Sequence, residues 1–321
     1  MKAVIRNEYG SADALELVEL DRPEVSDDGV LVRLEAASLN RIDWYHLTGT
    51  PLVGRPEMGL RKPKSPQFHT DFAGTVEAVG KDVTQFRPGD EVFGRAAPLA
   101  EYVCAEPGAI ALKPAGITFE EAATISVAGR TALQALRDHA QVKPGQKVLI
   151  NGASGGVGTF ALQIAKALGA EVTAVCSTAN VDQARALGAD HVIDYTLDDF
   201  TRSGQRYDVL FDNAGSKSWS ACKRVLDPSA VVLLVGGPKK SRLLGPLTHI
   251  IGMKLRAKFD SRKAVFFIAK PSVADLESLG ELLETGKVKP VIDGRYPLSE
   301  IADAFRHLGE GHARGKVVIT I

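Results

Sequence analysis

Residues 147–168 constrain this chain more than any other stretch. Val148, Leu149 and Ile150 form a short apolar run of the kind that fills a strand buried on both faces, and glycines then interrupt it at 152, 155, 156 and 158. Ala161, Leu162, Ile164, Ala165 and Leu168 recur at the spacing of one apolar helical face, and Gly169 stops the pattern. Strand, glycine turn and helix in that order let backbone N–H groups approach a pyrophosphate, which the positive helix N-terminus holds. Glycine spacing alone is weak evidence, because such turns are common in α/β chains. The segment that follows strengthens it. Glu171–Cys176 reads as a second strand, Val181–Leu187 as a short helix ended by Gly188, and His191–Asp194 as a third strand. A βαβαβ half of this kind is a nucleotide-binding module.

Three further strands extend the pattern: Tyr207–Asp212, Ala230–Val235 ending in Gly236-Gly237, and Ala264–Ile268. Six strands suit the doubly wound order 3-2-1-4-5-6, with ligand at their carboxyl ends near the reversal. Residues 1 to about 120 look different. Short strand candidates at 3–5, 30–34, 74–79, 91–93 and 99–103 are separated by Gly, Pro and Asp clusters, which describes a compact β-rich domain, a partly open barrel. Thr118 with Glu121 has the spacing of a capping box, so helix is expected up to Val127, then again from Thr131 to His139. A helix over Leu276–Leu283 closes at Gly286, and the remaining strand, helix and strand from Pro290 to Ile321 are expected to rejoin the first domain. The boundaries that follow are 1–121 with 287–321 for the β-rich domain and 122–286 for the nucleotide-binding one.

Composition narrows the partners. A chain of 321 residues exceeds one ordinary core, in keeping with two domains. Lys plus Arg and Asp plus Glu are 39 each, which removes a whole-protein electrostatic case for nucleic acid or an anionic membrane. Cys104, Cys176 and Cys222 lie far apart and form no CxxC, so neither a disulfide framework nor a zinc ribbon is indicated. The opening Met1–Arg6 is strand-like without a signal-peptide core, and no apolar run approaches a membrane span, so a cytoplasmic protein is expected.

Read together, Ala37-Ser-Leu-Asn-Arg-Ile-Asp-Trp44, Asp71-Phe-Ala-Gly-Thr-Val-Glu-Ala-Val-Gly80, Pro88-Gly-Asp-Glu-Val-Phe-Gly94, Asn151-Gly-Ala-Ser-Gly-Gly-Val-Gly158, Gly188-Ala-Asp-His-Val-Ile-Asp-Tyr195 and Gly315-Lys-Val-Val-Ile319 resemble the medium-chain dehydrogenase/reductase superfamily. The match runs through nearly the whole chain, in order, and is similar to the zinc-free, quinone-oxidoreductase-like branch. The resemblance implies a GroES-like catalytic domain built from both termini, a Rossmann domain between, a cleft separating them and a homodimer. It also implies what is missing. Zinc-dependent alcohol dehydrogenases of the superfamily carry Cys where Asn40 matches and His-Glu where Thr70-Asp71 match, and they add a four-cysteine structural lobe that this chain lacks. An amide and a hydroxyl do not replace thiolate and imidazole as zinc ligands. His69 stands one position away without a cysteine partner and reads first as a hydrogen-bonded loop histidine. Hydride delivery from a nicotinamide to a quinone or an α,β-unsaturated carbonyl therefore suits the chain better than alcohol oxidation.

Residue roles follow from the same resemblance. Asn40, Asp43 and Tyr45 occupy the family's catalytic-loop segment: Asn40 to orient substrate or nicotinamide, Tyr45 to donate a proton or stack on a ring. The other reading of Asn40 and Asp43 is a loop network that satisfies turn amides. Arg41 replaces a proline usual in relatives. Asn151, Gly152, Ser154, Gly155, Gly156, Val157 and Gly158 make the pyrophosphate turn, while Thr131, Gly236 and Phe267 match segments at the nicotinamide end. NAD-specific folds place an acid at the end of the second strand to bind the ribose 2′-OH. Here that position reads Cys176-Ser-Thr-Ala-Asn180, which favours NADP(H), with Ser177, Thr178 and Asn180 hydrogen-bonding the 2′-phosphate and Arg185 as counter-charge. The alternative is that Ser177 and Asn180 only cap the following helix. Lys239, Lys240, Arg242, Lys254, Arg256, Lys258, Arg262 and Lys263 face one acid, Asp260, with apolar Leu243–Ile251 among them: a lid or solvated edge, or at most a peripheral membrane contact. The expected activity is NADPH-dependent reduction of a quinone or activated carbonyl. Alkenal or enone reduction is the second enzymatic reading, and a nucleotide-binding interaction protein with little turnover is the reading from another class.

Overall fold

A computed structural model of the chain describes residues 1–237 and 243–321, so Lys239, Lys240 and Arg242 of the basic segment lie outside the described residues. The chain divides into two compact units: Met1–Arg130 with Lys270–Gly286 and Pro290–Ile321, and Thr131–Ala269 with Lys287–Lys289.

The first unit opens with a hairpin, β1 (Lys2–Arg6) and β2 (Leu15–Glu19). β3 (Val30–Leu39) leads into helix α1 (Arg41–Thr48), and β4 (Thr70–Val79), β5 (Glu91–Ala96), β6 (Tyr102–Ala105) and β7 (Ile110–Leu112) follow. The sharp Pro, Gly and Asp clusters between them are the turns that bring each strand back antiparallel to its neighbour. Thr118 caps α2 (Phe119–Ala123) and forms the expected capping box with Glu121. This helix stops at Thr124, before Val127, and α3 (Ser126–Leu133) then runs on into a π-helical turn over Gln134–His139 where an ordinary helix was expected.

The second unit is one six-stranded parallel sheet. Its elements are β8 (Lys147–Asn151), α4 (Gly156–Ala167), β9 (Glu171–Cys176), α5 (Val181–Ala186), β10 (His191–Asp194), β11 (Tyr207–Asp212), β12 (Leu226–Leu234), α6 (Leu247–Ala257) and β13 (Lys263–Phe266). Their order in the sheet is β10-β9-β8-β11-β12-β13, the doubly wound 3-2-1-4-5-6, so the reversal falls between β8 and β11. Val148, Leu149, Ile150 and the apolar face of α4 are fully buried, as strands covered on both faces require. No helix among the described residues is long and apolar enough to cross a membrane.

The chain then returns to the first unit with α7 (Val273–Glu284), β14 (Ile292–Pro297), α8 (Ile301–Glu310) and β15 (Lys316–Thr320). β15 pairs with β14 on one side and with β3 on the other, completing the order β14-β15-β3-β4-β5-β7 with β6 also on β3. The unit boundaries differ from those drawn on the sequence. Residues 122–130 and 270–286 pack with the β-rich unit, because Leu276, Leu279 and Leu283 of α7 turn toward it and Gly280 lets Pro114 approach to 3.2 Å of where a Cβ would stand. Residues 287–289 belong to the other unit, where Gln163 exchanges a pair of hydrogen bonds with the Lys289 backbone.

Candidate active site

In the parallel-sheet unit, β8 ends at Asn151 and the chain turns through Gly152, whose φ of +89° suits glycine. Gly158 has no room for a side chain: a Cβ there would lie 2.1 Å from the Gly152 carbonyl oxygen. Gly155 is the opposite case, since a Cβ would find no atom nearer than Asn213 Nδ2 at 3.9 Å. It occupies the N-cap of α4 in extended conformation and contributes no side chain, so the N–H groups of Gly156 and Val157 in the first turn stay available to an anion. Ser154 and Val157 are half-buried beside them. The turn therefore fits the diphosphate of a dinucleotide: one glycine closes it, and another leaves open space in front of it.

The Asn151 side chain points elsewhere. Its Nδ2 donates to Asp212 Oδ1 at 2.8 Å and to Ser216 Oγ at 3.1 Å. Asp212, at the end of β11, also accepts from the Gly215 N–H at 2.9 Å and faces His249 Nε2 of α6 at 3.1 Å. Asn151, Asp212 and His249 thus form a buried polar node at the carboxyl edge where the sheet reverses. Nothing in the sequence pattern pointed to Asp212 or His249, since their pairing spans 37 residues. Gly236 follows β12 so closely that a Cβ would sit 2.1 Å from the Asn213 carbonyl oxygen. Phe267, just past β13, lies with its ring 4.3 Å from that of His139, and Thr131 is half-buried at the start of the unit.

At the end of β9 the expected adenosine-side residues are only partly assembled. Asn180 Nδ2 donates to Ser177 Oγ at 3.0 Å and Asn180 is buried; the two side chains bond each other, and neither makes the side-chain cap to the following helix that was the alternative read from the sequence. Thr178 is exposed and its hydroxyl donates to Asp194. Arg185 does not turn to this group: it pairs with Asp182 at 3.5 Å, both side chains lying in solvent.

The β-rich unit holds a second polar centre. Asn40 caps α1 and Asp43 completes the capping box, its Oδ2 accepting from the Asn40 N–H at 2.6 Å. The Asn40 amide is held at both ends: Nδ2 donates to Asp71 Oδ2 at 2.9 Å, and Oδ1 accepts from the Lys316 ammonium at 2.6 Å. Lys316 is 2% exposed and also lies 3.8 Å from Asp71. Asp71 accepts from the Val127 N–H at 3.0 Å, and Arg95 stands 3.6 Å from Asp43 and 3.7 Å from Asp71. Burial pushes Asp43 up to about 6, against the pull of Arg95. Burial lowers Lys316, with Asp71 and Asp43 opposing it. Tyr45 is half-buried and burial raises its hydroxyl, so it stays protonated across the neutral range. Burial, with Arg6 and Arg95 adding to it, holds His46 down at about 4. His69 is lowered for the same first reason, and its carbonyl accepts from Arg95.

These donors do not fit zinc. Asn40 is an amide locked between an ammonium and a carboxylate, and no group of three or more His, Cys, Asp or Glu among the described residues could hold a metal ion. The positive charge that Asp71 and Asn40 face is the Lys316 ammonium. The signal for Lys316 lay in the terminal Gly-Lys-Val-Val string, but a lysine in a strand pattern says nothing about where its ammonium goes.

Comparison with known proteins agrees with this architecture. Residues 26–129 match the alcohol dehydrogenase GroES-like domain, and residues 187–319 match the zinc-binding dehydrogenase model. The chain is 34% identical to the chloroplastic quinone-oxidoreductase homolog of Spinacia oleracea, over 99% of this chain and 98% of that protein. It is 33% identical to the chloroplastic NADPH-dependent alkenal/one oxidoreductase of Arabidopsis thaliana, over 99% and 79%. Among solved structures, the quinone oxidoreductase from Coxiella burnetii superposes with a TM-score of 0.85 at 32% identity, covering 100% of this chain and 99% of that one. A chain that carries both a GroES-like unit and a Rossmann unit with an open glycine turn falls in a class of nucleotide-dependent oxidoreductases. The chain belongs to the medium-chain dehydrogenase/reductase superfamily, in its quinone-oxidoreductase-like branch.

Proposed function

We propose that this protein is a zinc-independent, NADPH-dependent oxidoreductase that transfers hydride to a quinone or another activated carbonyl acceptor. The observation that carries the reading is the open dinucleotide turn at Gly155; within the β-rich unit it is joined by a polar centre whose cation is a lysine ammonium. When bound, the reduced dinucleotide supplies the hydride. The chain's residues bind and orient. Gly155, Gly156 and Val157 receive the diphosphate through backbone N–H groups, with Gly152, Ser154 and Gly158 shaping the turn. We assign dinucleotide binding to the unit spanning 131–269 and substrate binding to the β-rich unit. There Asn40 presents the remaining N–H of an amide fixed by Lys316 and Asp71, Asp43 holds the loop in place, and Tyr45 keeps a proton to donate. A quinone acceptor needs no dedicated acid, because its reduced oxygen takes a proton from water, so positioning carries the rate.

The test follows NADPH absorbance with a para-quinone and with a 2-alkenal, each repeated with NADH. Faster turnover of the quinone is expected. Faster turnover of the alkenal moves the assignment to enone reduction, the activity for which the Arabidopsis relative is named. NADPH binding with no consumption across the panel overturns the enzymatic reading in favour of a nucleotide-binding interaction protein.

Two further assignments are part of the proposal. A homodimer is supported by β13, which among the described residues is an edge strand of the parallel sheet; light scattering in solution tests it. A reducing compartment such as the cytosol is supported by three cysteines that remain free thiols. Peripheral contact with an anionic bilayer is the subordinate reading of α6, which exposes Ile251, Leu255 and, just beyond its end, Phe259 among Lys254, Arg256 and Lys258. Failure to sediment with anionic vesicles at physiological salt removes it.

A further inference from the structure

The absence of an acid at the end of β9 pointed to the phosphorylated dinucleotide, yet the fold brings an acid there from the next strand. β10 pairs in parallel with β9 so that Asp194 lies level with Cys176. Asp194 Oδ2 accepts from the Thr178 hydroxyl at 2.5 Å, and Oδ1 accepts from the N–H and hydroxyl of Thr196 at 2.9 and 2.7 Å. The Thr178 bond holds this carboxyl below the usual carboxylate range, so it is ionised at neutral pH. Those partners are all neutral. The cation expected to balance a 2′-phosphate, Arg185, is engaged with Asp182, and position 179 is alanine.

We propose that Asp194 sets coenzyme selectivity, accepting the ribose 2′-hydroxyl of NADH and repelling the 2′-phosphate of NADPH, so that the protein uses both coenzymes instead of excluding NADH. The inference deepens the dinucleotide reading above and rests on it. The Thr178 and Thr196 hydroxyls and backbone N–H groups gather around this carboxylate, and a ribose hydroxyl joins them by sharing or displacing one of these neutral donors in a charge-assisted hydrogen bond. A phosphate received by the Thr178 hydroxyl instead comes within about 5 Å of a like charge. Because Asp194 faces solvent, screening keeps the effect modest, at about three- to tenfold in relative affinity.

Dissociation constants for NADPH and NADH, read by nucleotide fluorescence in the full-length wild type, in Asp194→Asn and in Ala179→Lys, test the assignment; 2′,5′-ADP and 5′-AMP serve as displacement probes. The wild-type constants are expected within about tenfold of each other. Asp194→Asn is expected to tighten NADPH and 2′,5′-ADP, loosen NADH and 5′-AMP, and move their ratio about three- to tenfold. Ala179→Lys is expected to tighten only the phosphorylated pair. A second measurement needs no substitution: with Asp194 dominant, the wild-type preference for NADPH rises as salt screens the repulsion, whereas a dominant cation makes it fall. An unmoved ratio in Asp194→Asn, or a preference that falls with salt, overturns the proposal. Failure of the wild type to bind either dinucleotide overturns the dinucleotide reading itself.

Discussion

His46 is held neutral inside α1, and its low value has a cost that appears only in acid. Its proton affinity drops from the ordinary histidine range to about 4 on folding, so between about pH 6.5 and 4 the unfolded chain binds a proton that the folded one refuses. Its stabilising contribution is complete above that window and lost as the pH falls through it. Asp43 works in the opposite sense. Its folded value near 6 lies above that of a free aspartate, so its contribution is present below the free value and is lost as the pH rises through 6. Between pH 6 and 4 the two partly cancel. His46→Gln is expected to flatten the loss of stability from pH 6.5 to 4 by about 1–2 kcal/mol, allowing for solvent screening, as read by urea unfolding at a series of pH values. Asp43→Asn is expected to steepen it. Lys316 carries a larger effect. Replacing it with Met leaves Asp71 facing Asn40 without an ammonium, and a loss of about 3–5 kcal/mol is expected in the same measurement.

At the scale of elements, the turn between β8 and α4 separates two uses of glycine that look alike in the sequence. Gly158→Ala places a Cβ against the Gly152 carbonyl, so the turn must open; a loss of about 2–4 kcal/mol in stability is expected together with loss of dinucleotide binding. Gly155→Ala meets open space and a compatible backbone, so the melting temperature is expected to hold within about 2 °C while dinucleotide affinity falls about tenfold or more. Calorimetry with and without NADPH separates the two. The parallel sheet was legible because its strands are continuous apolar runs, and β9 and β11 begin and end where the pattern does. Helix α7 was assigned to the wrong unit because an amphipathic helix announces that it has an apolar face, and not which surface that face meets. The π-helical turn at Gln134–His139 left no mark, since its residues keep a helical composition. At the candidate site, the glycine turn and Asn40 could be read locally. Lys316, Arg95 and His249 could not, because each acts through a partner brought near only by folding.

For the whole molecule, a bound dinucleotide adds stability to the unit that holds it. At a hundred times its dissociation constant, NADPH is expected to contribute about 2.7 kcal/mol, seen as a higher melting temperature for residues 131–269 in hydrogen exchange or calorimetry. Prolonged dialysis against EDTA is expected to leave both that shift and NADPH consumption unchanged, since the two carboxylates of the polar centre, Asp43 and Asp71, face Lys316 and Arg95. The position of β15 has a consequence of another kind. It lies between β14 and β3, so one edge of β3 stays uncovered and β14 has no partner in the sheet until this strand has been made. As the chain leaves the ribosome, the parallel sheet is continuous in sequence and can close early, while the opening 130 residues wait with one edge of β3 unpaired and Asn40 and Asp71 lacking their ammonium. Until β15 arrives the β-rich unit stays half-built, and dependence on chaperones should fall on residues 1–130.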